Sequence, residues 1–471
     1  MLFPTLNFGL FFLAVFFVSW ALVRLPRTRL AFLILVSYGF YAAWDWRFCF
    51  LLGGSSVFNW LMGHLIHRAT GDGRRKLLVS LAIALNLALL GFFKYFNFFL
   101  NSANALIETL KLGRDIPYLE IVLPVGISFF TFHGISYVVD IYRRKISRPA
   151  RLSHILFYIA FFPQLVAGPI VRASHFLPQI AAPVDPHDIR ARRALLLILG
   201  GLFKKVVLAN YLATGLADDV FFDPTQYGAW DILLANYGYA AQIYCDFSAY
   251  TDIAIGIAAL LGYRFPVNFN QPYRAVGFQD FWQRWHISLS SWLRDYLYIS
   301  LGGNRRGAWM RYRNLALTML LGGLWHGASW NFVIWGGLHG LALIIEHRFF
   351  KGGLKPATLT PGRKIAATLV TFHLVCLTWV FFRAADFGHA WSFIAGFARI
   401  GTAPTLATPF NLGLLSLSMS LHFLPPDWVA RLETSMARVP LVAWGAVAGA
   451  LIVAIDSLGP SGMAPFIYFQ F

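Results

Sequence analysis

Two stretches of this chain hold polar groups that could do chemistry inside apolar sequence. The first runs from Asn314 to Ile345, NLALTMLLGGLWHGASWNFVIWGGLHGLALII, with His326 a dozen residues from its start. At about 1.5 Å per residue this puts the imidazole about 18 Å along a helix, near the middle of a bilayer. An ionisable group at that depth needs a polar partner or water, so it is a functional candidate by default. A neutral imidazole there suits general base chemistry, although a single helix-helix hydrogen bond would also satisfy it. His339 is thirteen residues further on. On a regular helix that is roughly 220° away, which fits packing or support better than a shared site.

The second stretch, Trp282 to Arg305, reads WQRWHISLSSWLRDYLYISLGGNR. Trp282, Trp285, Leu289, Trp292 and Tyr296 recur at helical spacing, and Arg284, Ser288, Ser291 and Asp295 form a polar stripe on another face. The stripe fits an interfacial helix with its polar side in water as well as it fits a reactive carboxylate at Asp295. On a regular helix His286 and Asp295 point to opposite sides, so one partner group does not meet both.

Asp246 and Asp252 also interrupt an apolar run, as do Lys204 and Lys205. Mutual pairing or snorkelling to the interface accounts for them, and a polar transport pathway is the competing use. Cys49, Cys245 and Cys376 stand in apolar sequence at no metal-ligand spacing, which implies neither a disulfide framework nor a metal site. Gly-rich phosphate loops, G-x-S-x-G and H-E-x-x-H are absent from the sequence, which argues against soluble-type kinase and hydrolase chemistry.

The elements that must position these groups belong to a membrane. Of 471 residues 58% are hydrophobic and 13% charged, with a mean hydropathy of +0.60. Apolar runs near the roughly 20 residues needed to span hydrocarbon recur from end to end and predict about eleven transmembrane helices. The first, Leu6 to Val23, lacks the flanks of a signal peptide and is expected to remain as a span. The net charge of +18 sits in short connectors: Arg24, Arg27 and Arg29; then Arg68, Arg74, Arg75 and Lys76; then Arg143, Arg144, Lys145, Arg148 and Arg151. Those connectors alternate with near-neutral ones, so the positive-inside rule places the N-terminus outside, with odd-numbered early spans ending in the cytoplasm. Attraction to anionic lipid explains the charge without a nucleic-acid partner.

No internal or inverted repeat is evident, which weakens a transporter reading. Connectors such as Pro183 to Arg193, Lys351 to Arg363 and Gly401 to Pro409 are too short for a further domain, so residues 1–471 read as one membrane domain with a core at about 120–345. Within it, FFPQLVAGPIVR (Phe161 to Arg172) and FPVNFNQPY (Phe265 to Tyr273) carry prolines and amides between apolar runs. The run Asn314 to Ile345 is too long for one span and rich in glycine. Backbone broken in this way must be buried in protein or line a wet cavity, and the long run must be kinked, paired or re-entrant.

The strings RWHISLSSWLRDYLYISLGGNR (Arg284 to Arg305) and LTMLLGGLWHG (Leu317 to Gly327) closely resemble the membrane-bound O-acyltransferase family, in particular the bacterial branch typified by alginate O-acetylation. The similarity continues through LPVGISFFTFHGISYVVDIYR, FFPQLVAGPIVR, IYCDFSAYTDIAIG, FNQPY and the C-terminal FIYFQF at Phe466 to Phe471. The resemblance implies an all-α polytopic fold with re-entrant and interfacial helices, whose centre forms a funnel through a thinned membrane. It implies that His326, the histidine of the W-H-G element, is catalytic, and that Asp295 fills the place of the second member. His286, Arg294, Trp325 and Asn304 are supporting candidates in or beside the same strings, and no metal is implied.

By the same resemblance the activity is transfer of an acetyl group from a cytosolic thioester such as acetyl-coenzyme A, used as donor substrate without a resident cofactor. The acceptor is an exported polysaccharide of alginate or acetylated-cellulose type, reached through a periplasmic acetyltransferase partner and export machinery at a bacterial inner membrane. Alternatives are another acceptor within the family, as in D-alanylation of teichoic acid or acylation of a lipid, and a transporter or export channel using Asp246, Asp252 and His326.

Overall fold

The computed structural model describes residues 3–113, 116–117, 119–165, 168–305, 307–350, 353–425, 427–460 and 466–467. Among these, every regular element is helical, as the composition and resemblance predict. Among the described residues five helices are long and apolar enough to cross a membrane: Arg47–Arg68, Asp72–Thr109, Ala191–Phe222, Ala229–Leu260 and Pro361–Arg383, with Leu6–Ala21 and Val442–Leu458 as shorter apolar helices. The expected eleven runs do not all appear as long continuous spans. Pro26–Asp45, Gly307–His326 and Trp330–Phe349 are continuous helices of 20 residues that are less apolar, and Ile127–Tyr142 has only 16.

The chain forms two compact units, Met1–Ile189 with Ile257–Pro266, and Arg190–Gly256 with Val267–Phe471. In the first, the short helix Ile127–Tyr142 is buried at every position from Ile127 to Ile141. Its Gly134 must be glycine, because a Cβ there would lie 2.4 Å from the amide nitrogen of Asn59. Asn59 and Asn86 donate to one another at 3.2 and 3.0 Å, joining two membrane helices through a closed amide pair. Bonds of this kind between membrane helices average about 0.6 kcal/mol. Arg29, counted above with the connector charges, is in fact buried. Its guanidinium donates to the Ser19 carbonyl at 3.1 Å and to the Leu261 carbonyl at 2.6 Å.

In the same unit the segment Phe161 to Arg172 breaks as predicted, with a single turn at Phe162–Leu165 between longer helices, and its described residues are almost all buried. Val166 and Ala167 of that segment lie outside the described residues, as do residues 468–471 of the C-terminal string.

The second unit carries the candidate chemistry. The expectation for Asn314 to Ile345 is met by two helices, Gly307–His326 and Trp330–Phe349, packed as a pair. They approach so closely that a Cβ on Gly323 would meet the Phe332 carbonyl oxygen at 2.2 Å, and one on Gly336 the Met319 carbonyl oxygen at 2.3 Å. Small residues permit such backbone contact between membrane helices, where dispersion replaces the hydrophobic effect as the attraction. The lysines of the apolar run are paired, as the structural reading of them expects. Lys205 and Asp246 lie 2.7 Å apart and almost fully buried, and Lys204 and Asp252 lie 2.5 Å apart. Both lysines fall in the π-helical turns Phe203–Ala209.

Candidate active site

His326 is not in the middle of a helix. It is the last residue of Gly307–His326, about 29 Å along from Gly307 at 1.5 Å per residue, because the helix is longer at its start than the apolar run suggests. The break that follows is built into the sequence: Ser329 caps the next helix, its hydroxyl accepting from the Asn331 backbone N–H at 3.3 Å. At Gly327 a Cβ would lie 2.0 Å from the Phe332 ring, so only glycine lets the chain turn here.

Aromatic rings enclose the imidazole, which is only 3% exposed. Ring centroids lie at 5.0 Å for Trp325, 5.0 Å for Trp335 and 5.3 Å for Phe382. Trp335 in turn stands 4.7 Å from His339. The two histidines thus flank one indole, contrary to the expectation that His339 lies on another face, because the helix break resets the angular register between them. His339 is held by Thr378. The Thr378 hydroxyl donates to the Val375 carbonyl at 2.7 Å, so its oxygen accepts from His339 Nε2–H at 2.9 Å.

The helix expected through Trp282 to Tyr296 is also interrupted. Phe278–Trp282 ends, His286 takes a left-handed backbone at φ 43°, Ile287–Trp292 follows, and Leu293–Tyr298 is π-helical. A left-handed non-glycine residue costs about 1–2 kcal/mol. Here Asn268 offsets that cost from the amide-rich segment: its carbonyl accepts from Ile287 N–H at 2.9 Å, and its side-chain oxygen accepts from Ser288 N–H at 3.1 Å and Ser288 Oγ at 2.9 Å. That same oxygen lies 3.2 Å from His286 Nδ1, which makes Nδ1 the protonated ring nitrogen. Among the described residues Nε2 of His286 is buried without a hydrogen bond. His286 faces Phe247 at 4.7 Å and Trp325 at 6.1 Å, placing it one indole away from His326. Sequence reasoning passed over Asn268, whose only signal was an amide inside an apolar, proline-flanked stretch.

Asp295 is 13% exposed and is clasped by Arg294, whose Nε and Nη2 donate at 2.6 and 3.3 Å. Its π-helical segment packs on the His326 helix through Leu293, 3.1 Å from where a Gly322 Cβ would stand. Arg294 also lines a cavity of about 600 Å³ with Tyr298, Gly303, Asn304 and Arg305. Tyr298 donates its hydroxyl proton to the Asn304 side chain. The predicted residues therefore sort into two places: Trp325 and His286 beside His326, and Arg294 and Asn304 on the cavity wall.

A buried imidazole at a helix end, with a carboxylate segment packed against its last turn, is suited to proton transfer in a site shielded from bulk water. The family description "MBOAT, membrane-bound O-acyltransferase family" matches residues 128–385, a span that contains every one of these groups. The chain belongs to this family. It is a multi-pass membrane O-acyltransferase. Among curated relatives, "Probable alginate O-acetylase AlgI" of Azotobacter vinelandii is 42% identical over 83% of this chain and 76% of its own length. The "Peptidoglycan O-acetyltransferase" of Helicobacter pylori is 40% identical over 81% of this chain and 76% of its own. The "Teichoic acid D-alanyltransferase" of Bacillus subtilis is 30% identical over 56% and 70%.

Proposed function

We propose that this acyltransferase O-acetylates an exported polysaccharide, with His326 as the general base. The observation that carries this reading is the burial of His326 at a helix end among Trp325, Trp335 and Phe382, beside the segment that bears Asp295. The acetyl group and polymer acceptor are favoured over D-alanyl transfer by the 42% and 40% identities to O-acetylating relatives against 30% for the D-alanyl one.

Neutral His326 takes the proton of an acceptor hydroxyl as its oxygen attacks the thioester carbonyl. The C–O bond forms, the C–S bond breaks, and the departing thiolate takes the proton back from the imidazolium. Base catalysis of this kind contributes about 10² to 10⁴ in rate. Asp295 supports the cationic imidazolium electrostatically, and the cavity bearing Arg294, Asn304 and Arg305 suits the charged end of a thioester donor such as acetyl-coenzyme A. The donor enters from the cytoplasm of a bacterium, the chain sits in its inner membrane, and a periplasmic acetyltransferase completes delivery to the polymer. The test is transfer from labelled acetyl-coenzyme A in membrane vesicles with any periplasmic partner present. Parent and His326→Ala are compared at matched folded protein. Loss of transfer in the mutant alone supports the reading, and normal transfer by the mutant overturns it.

A further inference from the structure

Within the second unit several helix ends carry mostly one sign of charge. Arg190, Arg192 and Arg193 flank the start of Ala191–Phe222, Arg311 and Arg313 lie early in Gly307–His326, and Arg363 and Lys364 open Pro361–Arg383. Asp218, Asp219 and Asp223 stand at the other end of the first of these helices, Asp231 begins Ala229–Leu260, and Asp386 follows Pro361–Arg383. These acidic ends are joined. Arg383 donates to Asp218 at 3.0 Å, Ala229 N–H donates to the Arg399 carbonyl at 3.0 Å, and Phe221 stacks on Phe393 of Phe387–Gly396 at 4.3 Å. The positive-inside rule puts the basic ends in the cytoplasm and this acidic cap on the opposite side.

The cap adjoins the candidate active site. Asn331 donates from the start of Trp330–Phe349 to the Ala384 carbonyl at 3.0 Å, and Phe382 faces the His326 ring. Its cations are turned inward: Arg383 holds Asp218, and the Arg399 guanidinium donates to the carbonyls of Tyr227 and Pro224. Its apolar residues are turned outward, with Phe222 and Ile400 each 84% exposed, Trp391 62%, Trp230 58% and Phe387 54%. Exposed Asp219 and half-buried Asp223 lie in the same cap, as does Asp386 at 62% side-chain exposure. The backbone N–H and then the imidazole of His389 hold the Asp386 carboxyl below the usual range, and the Thr225 hydroxyl and N–H do so for Asp223. Carboxylates among the aromatics make hydrocarbon a poor cover for this face, and they repel anionic headgroups and anionic polymers alike.

We propose that this acidic, aromatic-studded cap is the docking surface for a protein domain on the non-cytoplasmic side, one that presents a cationic rim around an aliphatic face and works beside His326. The inference rests on the reading of the chain as an acyltransferase serving an acceptor across the membrane. A charged rim gives specificity and on-rate while the exposed aromatics supply the buried anchors.

The test places a photo-crosslinking benzoyl-phenylalanine at Trp391 or Ile400 of the full chain in its native membranes, with Leu369 of Pro361–Arg383 as a lipid-facing control. The proposal expects an adduct at the two cap positions, absent at Leu369, with a protein whose contacting peptide is rich in Lys and Arg. In the triple variant Asp219→Asn, Asp223→Asn, Asp386→Asn the adduct falls about tenfold at low salt and polymer acetylation falls with it. Asparagine keeps the caps that Asp223 and Asp386 make, and Asp219 is exposed on its helix, so the fold is preserved. Adducts with lipid, with carbohydrate or with a second copy of this chain, or a protein adduct indifferent to the three charges, would overturn the proposal. Thioester hydrolysis by the same membranes is read in parallel. Its absence from the parent counts against the acyltransferase mechanism, whereas its persistence with no protein adduct counts against the docking surface alone.

Discussion

The ring of Trp335 stands edge to face against that of His326, with centroids 5.0 Å apart and planes at 88°. Trp335 is 1% exposed and also stacks on Trp379 at 5.7 Å, so it is a wall shared by the His326 imidazole and the aromatic core. Trp335→Ala should cost about 3–5 kcal/mol of stability and let water reach His326. Trp335→Phe should lose less stability and retain transfer. Thermal unfolding in detergent and initial rates of acetyl transfer, taken on both variants, check this ordering.

The helical class, the pairing of the lysines with the aspartates and the division of the long glycine-rich run were legible because each follows from one dimension of the chain: hydropathy, charge and glycine spacing. The relation of His326 to His339 was not. An angle of 100° per residue holds only along an unbroken helix, and the turn at Gly327 to Ser329 resets it. The same limit applies to His286, whose left-handed backbone and bond to Asn268 arise from a segment eighteen residues earlier. Arg29 misled in the opposite direction, since a basic residue in a connector looks like a topology signal until its buried carbonyl partners are seen.

The crossing at Gly323 and Gly336 gives a sharper steric test. Gly323→Ala and Gly336→Ala each force a methyl against a backbone carbonyl that cannot swing away, and overpacking of this kind costs about 1–3 kcal/mol or more. Gly337→Ala, whose nearest neighbour would be the Leu320 side chain at 3.5 Å, should leave folded yield close to the parent. Size-exclusion yield after matched expression separates the three.

Lys205 and Asp246 make an almost fully buried ion pair between two of the candidate spans, and Asp246 also accepts from the Ile467 backbone N–H at 2.9 Å. Asp246→Ala would strand the ammonium in an apolar interior, and breaking a buried pair from one side costs about 3–5 kcal/mol. Lys205→Met combined with Asp246→Leu removes both charges and should recover much of that loss. A double-mutant cycle on thermal stability measures the recovery.

Acid should weaken the cap through two carboxylates that are stabilised in their charged form. Asp223 and Asp386 have folded-state values lowered by the hydrogen bonds they accept, so their contribution is present above the unfolded carboxylate value of about 4 and is lost as pH falls through the folded one. Thermal stability should therefore decline below about pH 4, and more gently in Asp223→Asn, Asp386→Asn than in the parent. Equal slopes in the two proteins would contradict this.

Asn268 tests whether His286 acts on the active site through its orientation. Its side-chain oxygen serves the His286 ring and both the N–H and the hydroxyl of Ser288, so Asn268→Ala leaves three buried groups short of an acceptor. Leaving buried donors unsatisfied costs about 1–3 kcal/mol each when nothing relaxes. Asn268→Asp keeps an acceptor oxygen at the same place and should hold the ring better than alanine does. If His286 only packs, both variants lose stability while the protein that remains folded transfers acetyl at the parental rate. If its orientation matters, kcat falls in Asn268→Ala per folded molecule and is partly rescued in Asn268→Asp, with KM for the donor little changed.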